Sequence, residues 1–148
     1  MKPVRRTLRL ERSCVRLAAV AVVGLVAAAV AIAQSNFADR WWRPELDATA
    51  AAPQHHKVLF ENDEVRVLEV TVAPGEREPL HVHRYPAVMI IDTSPHMVEH
   101  LQDGNTRDLG VRPPGARWFP VVQGHAMENV GNVPLHAIRV ELKKAQGG

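Results

Sequence analysis

Three histidines in this chain are spaced for metal chemistry. His81 and His83 flank Val82, with five residues separating His81 from Gly75, and His125 follows in the run Gly124-His125-Ala126-Met127-Glu128-Asn129. On an extended strand, side chains at i and i+2 share a face. Both imidazoles of His81-Val82-His83 therefore lean the same way, roughly 7 Å apart along the backbone, and both can reach one ion at about 2 Å. A third convergent imidazole makes a site for a divalent transition metal such as Fe, Mn, Ni or Zn. Three neutral ligands on one side leave coordination positions open, unlike a closed structural site. They also leave the ion's charge uncompensated, which favours small anionic, chelating ligands such as carboxylates or diketone enolates.

The remaining chemistry-bearing residues have plainer expectations. Asn129 is read as a hydrogen-bonding residue behind the ligands rather than a ligand. Tyr85 and Glu128 are the nearest candidates for a catalytic acid or base, with Arg84 beside Tyr85. Trp118 is expected in the core and Arg117 in solvent. His96 and His100 are four apart, a metal spacing on a helix, but Pro95 and Asp103-Gly104 bracket a strand, so no second metal is expected there. His55-His56 could bind adventitious metal. No Ser-His-Asp ordering or glycine-rich phosphate loop is present.

The ends of the chain set its compartment. Lys2, Arg5, Arg6, Arg9, Arg12 and Arg16 precede an uncharged apolar run, residues 17–33, that closes on Ala31-Ile32-Ala33. This is the pattern of an export signal cut between Ala33 and Gln34. The alternative is a retained inner-membrane anchor; seventeen helical residues span about 25 Å against a hydrocarbon core of about 30 Å, and Trp41-Trp42 would sit at the interface. Either way the remainder is expected to be periplasmic or secreted, with membrane contact only through this apolar segment. The whole chain has 18 Lys+Arg and 16 Asp+Glu; without residues 1–33 it has 12 and 15, a formal −3. The basic balance belongs to the leader, so nucleic-acid binding loses its electrostatic support. The one cysteine, Cys14, is also in the leader, so no disulfide or thiolate site is available downstream.

Residues 34–54 read as a flexible tether, and residues 55–148 as one small domain. There the punctuation is β throughout. Residues 64–72 (EVRVLEVTV), 80–83, 87–91 (AVMII), 97–102, 106–109, 117–122, 126–130 and 135–142 form short candidate strands separated by turn residues. The apolar run 87–91 suggests a strand buried on both faces. Short strands at this spacing predict an all-β sandwich or barrel.

These residues resemble the cupin signature. Gly75, five residues, His81, one residue, His83 is similar to its first half. His125 with Asn129 four residues on resembles the second half, and Pro120 stands where that motif has its proline. Residues 129–135 (NVGNVPL) look like the turn and last strand of small single-domain cupins, so the resemblance covers roughly residues 57–143. It implies a small antiparallel jelly-roll barrel, with His81, His83 and His125 as ligands inside it. Two positions depart from the signature. The glutamate that follows the paired histidines is replaced by Ala87 or Val88, and the second motif's glycine by Val122. A three-histidine site does occur in this superfamily, in thiol dioxygenases. Glu99 and Glu128 are the candidate replacement carboxylates. The resemblance implies a metal-dependent oxygenase, or a lyase or isomerase, acting on a small anionic metabolite; the alternative is a non-catalytic barrel that binds a small ligand or metal. A homodimer is the expectation by analogy.

Overall fold

The computed structural model describes residues 42–144. The expected leader, Cys14, Trp41 and the first part of the expected tether lie outside the described residues. Among the described residues, no helix is long and apolar enough to cross a membrane.

Among the described residues eight strands form two antiparallel sheets: β1 (His56–Glu61), β2 (Val65–Val72), β3 (Ala87–Thr93), β4 (Met97–Leu101), β5 (Thr106–Gly110), β6 (Gly115–Phe119), β7 (His125–Asn129) and β8 (Leu135–Leu142). The larger sheet runs β1-β2-β8-β3-β6 and the smaller β5-β4-β7. β2 and β8 pair without a break from Val65↔Leu142 to Val72↔Leu135. Their strict alternation of inward and outward residues follows from the period of two in the sequence. Inward residues Leu68, Val70, Val72, Met89, Met97 and Leu135 form the core.

The larger sheet is buried on one face only, and this corrects two expectations. Ile90 in β3 is 50% exposed and Trp118 in β6 is 56% exposed. Cross-strand register lines up Phe60, Val67, Val140, Val88 and Trp118 in a row across all five strands. That row lies on the outer face of the wall, because Leu68, Arg139, Ala87 and Met89 alternate with it toward the interior.

The segment carrying the paired histidines is not a regular strand. Residues 73–76 make a turn closed by Glu76 N–H donating to Ala73 O, with Pro74 and Gly75 at its centre. Gly75 has φ +78°, as a type II turn requires at that position. From there the chain follows the edge of β7. Glu78 N–H donates to Met127 O, and His81 and His125 exchange both backbone hydrogen bonds at 2.9 Å. Pro79 offers no N–H and interrupts this ladder.

Part of the expected tether belongs to the domain. A 3-10 turn, Pro44–Leu46, leads into a single helical turn, α1 (Ala48–Ala51), capped by Asp47 accepting from Thr49 N–H. Ala48 and Ala52 are buried. Val82 N–H donates to Leu46 O, and Ala48 N–H to Val82 O. Nothing periodic marks this segment in the sequence; it is held by small side chains, backbone bonds and one buried aspartate. It straps across the residue between the two paired histidines.

Candidate metal centre

Four imidazoles meet inside the barrel. Ring centroids of His81 lie 4.6 Å from His56, 5.0 Å from His83 and 4.8 Å from His125. His81 and His83 come from the β7 edge segment and His125 from β7. His56 opens β1, where its pairing with Val70 turns it inward. The ligand nitrogens of His56, His81 and His83 all lie within 4.8 Å of one another.

The tautomers are fixed from behind. His56 Nδ1 faces Ala52 O at 3.3 Å, His81 Nδ1 faces Pro79 O at 3.0 Å, and His83 Nδ1 faces the Glu141 carboxylate at 2.8 Å. Each partner can only accept, so each Nδ1 carries the proton and each Nε2 holds a lone pair. His81 Nε2 is buried with no hydrogen-bond partner, and so is His125 Nδ1. Burial pushes His56 down to about 3 and His81 down to about 4. It holds His83 and His125 well below the usual histidine range, with the Arg139 charge and the neighbouring imidazoles adding to the effect. Neutral, convergent, unsatisfied nitrogens are what a cation requires. The residues present fit a divalent ion.

A carboxyl group stands beside them. Glu78 is 3% exposed. Its Oε2 accepts from Met127 N–H at 3.2 Å, while Oε1 has no hydrogen-bond partner and lies 3.8 Å from His56 Nε2. Burial pushes Glu78 up to about 8, against the Met127 hydrogen bond that favours its charged form. Glu99 reaches the same space from β4, its Oε1 3.6 Å from His125 Nδ1 and its Oε2 3.3 Å from Arg107 Nε.

Behind His83 runs a buried charge network. Glu141 accepts from Arg66 Nε at 2.6 Å and from Arg139 Nε at 3.1 Å. Asp47 takes the other end of Arg66 through both oxygens, at 2.9 and 3.1 Å. This fork-on-fork geometry suits a buried arginine. The imidazoles open onto a cavity of about 330 Å³ walled mainly by apolar side chains.

No protein-family model and no curated protein matches the chain. Among solved structures, a cupin domain from Bordetella pertussis superposes with a TM-score of 0.51 at 21% identity, over 60% of this chain and 91% of that one. The barrel has the cupin fold. A double-stranded β-helix protein from Klebsiella pneumoniae aligns at 19% identity over 74% of this chain and 90% of that one, TM-score 0.48. An RmlC-like cupin family protein from Methanocaldococcus jannaschii aligns at 17% identity over 59% and 77%, TM-score 0.46.

Within this cupin barrel, His81, His83 and His125 do come together, and the sequence reading misses His56 and Glu78. His56 reads as the end of a tether; only the register of β1 carries it inside. Glu78 precedes the paired histidines by three residues, whereas the expected carboxylate follows them. The other candidates are placed elsewhere. Tyr85 stacks under Arg66 and Arg84, 5.9 and 5.6 Å from their guanidinium carbons, and does not line the cavity. Glu128 alternates outward from His125 and Met127 and pairs with His100 at 2.6 Å. Asn129 is buried as a turn clamp: its Nδ2 donates to Val72 O and Val133 O, and its Oδ1 accepts from Gly131 N–H. None of these hydrogen bonds reaches a histidine. His96 pairs with Asp108 outside the cavity.

Proposed function

We propose that this chain is an exported metal-dependent enzyme, a lyase or isomerase that moves a proton on a small anionic substrate. The observation that carries the reading is Glu78, a buried carboxyl group with one oxygen unpartnered beside a cluster of neutral imidazoles. His56, His81 and His83 would hold the ion through Nε2, with His125 adjoining them. A bound divalent ion supplies Lewis-acid polarisation of a substrate oxygen. Glu78 Oε1 holds or accepts the proton, and Met127 N–H fixes the carboxyl group through Oε2. Glu141 keeps His83 in the tautomer that offers Nε2. The apolar walls exclude water from the reacting end. A buried carboxyl group that can carry a proton is the group a proton transfer needs, which is why that reading is put first.

The test is deuterium exchange by NMR on a panel of 2-oxo acids and diketones, with the metal-loaded protein in D2O. Exchange is expected for the wild type, with a loss of about 100-fold or more in Glu78→Gln at unchanged metal content. Undiminished exchange in that variant would overturn the proposal. The second reading, a non-catalytic binding barrel, draws on the apolar cavity walls; it predicts ligands that bind and are returned without exchange.

A further inference from the structure

The cavity that opens from the imidazoles combines an apolar wall with two guanidinium groups. Met89, Met97 and Met127, every methionine of the chain apart from Met1, line it. Ile91, Leu109 and Phe119 complete most of the wall. Methionine side chains adapt to irregular apolar shapes, in cores and at binding surfaces alike. The volume, about 330 Å³, is at the lower end of small-ligand pockets. A body of one aromatic ring with a short chain suits that space.

The same cavity carries charge. Arg107 and Arg112 both line the cavity. Arg107 is engaged by Glu99 at 3.3 Å. Arg112, half-buried in the loop between β5 and β6, makes no hydrogen bond or ion pair among the described residues. A guanidinium beside an apolar wall is a fork for a carboxylate.

We infer that the cavity takes an amphipathic carboxylate, an apolar body of about phenylpropanoid size lying along the methionine wall with its carboxylate on Arg112. This rests on the functional reading above, whose substrate class it names, but the contact with Arg112 does not depend on the metal.

Calorimetry on the full chain, metal-loaded and EDTA-treated, tests this with 3-phenylpropanoate, 3-phenylpropan-1-ol and acetate as probes. The acid is expected to bind about tenfold more tightly than the alcohol, as one charge-assisted contact allows. Arg112→Ala should bring the acid to the level of the alcohol and leave the alcohol unchanged. Arg112→Lys should restore part of the difference. Acetate, which has no apolar body, should bind far more weakly than the acid. Equal binding of acid and alcohol, an acid affinity untouched in Arg112→Ala, acetate as tight as 3-phenylpropanoate, or no binding by the wild type each overturn the inference. Arg112-dependent binding in EDTA-treated protein that shows no proton exchange when metal-loaded upholds the inference and removes the catalytic reading. Proton exchange with no Arg112 dependence does the reverse.

Discussion

Glu141 accepts a hydrogen bond from His83 Nδ1 at 2.8 Å, and the same carboxylate anchors Arg66 and Arg139. This cavity histidine is thereby tied to the larger sheet by its back, with its Nε2 turned to the other imidazoles. Outer partners of this kind are worth about 10–100-fold in metal affinity. Glu141→Gln should weaken metal binding by about that factor, read by competition with a chelator. It also leaves two buried guanidiniums short of charge, so a loss of roughly 3 kcal/mol of stability is expected in urea unfolding. Unchanged metal affinity would show that His83 needs no such orientation.

Asp47 links the strap to this network. Burial acts to raise its pKa, but the hydrogen bonds and charge of Arg66, with Thr49, hold it below the usual aspartate value of 3.8. A depressed carboxylate contributes stability that is present above its unfolded pKa and lost as pH falls through its folded pKa. The wild type should therefore lose stability below about pH 4 by an increment that Asp47→Asn lacks. At neutral pH, Asp47→Ala should cost about 3 kcal/mol, since it strands one end of Arg66 and uncaps α1. Acid titration of the unfolding free energy for the variants and the wild type reads both effects.

His136 gives a pH dependence of opposite sign. Its Nδ1 lies 2.8 Å from Asp92 and its Nε2 3.3 Å from Glu69. The hydrogen bond to Asp92, then that to Glu69, raises its pKa above 6.5. The stability it contributes is complete below the unfolded pKa and fades as pH rises through the raised folded value. His136 is partly solvated, so the effect is small. A histidine NMR titration should show one ring with an inflection above 6.5 that disappears in His136→Asn. An inflection at or below 6.5 would contradict the pairing.

Export is the expectation drawn from the leader. Protein recovered from outside the cytoplasm should begin at Gln34 by mass spectrometry. A mass that retains residues 1–33 would mean an anchor.

The parts of this molecule that were legible in the sequence are those with a period or a spacing. The alternation in β2 and β8, the Asp103-Gly104 hairpin and the order of His81, His83 and His125 all belong to that class, and together they anticipate the cupin fold. The misses have physical causes. His56 is set by strand register across β2, a long-range pairing invisible in a local window. Glu78 sits on an edge broken by Pro79, where alternation fails as a guide to direction. Trp118 and Ile90 are apolar, which predicts the interior, but a barrel wall of this kind has only one inner face. The strap was hidden because backbone bonds and alanines hold it rather than a hydrophobic stripe.

Metal content bears on the central claim most directly. The full chain, loaded and dialysed, should retain about one divalent ion per chain by elemental analysis. The double variant His81→Ala/His83→Ala should lose it, and His56→Ala should bind at least about 10-fold more weakly. A double variant that keeps the full metal content while remaining folded would contradict the site.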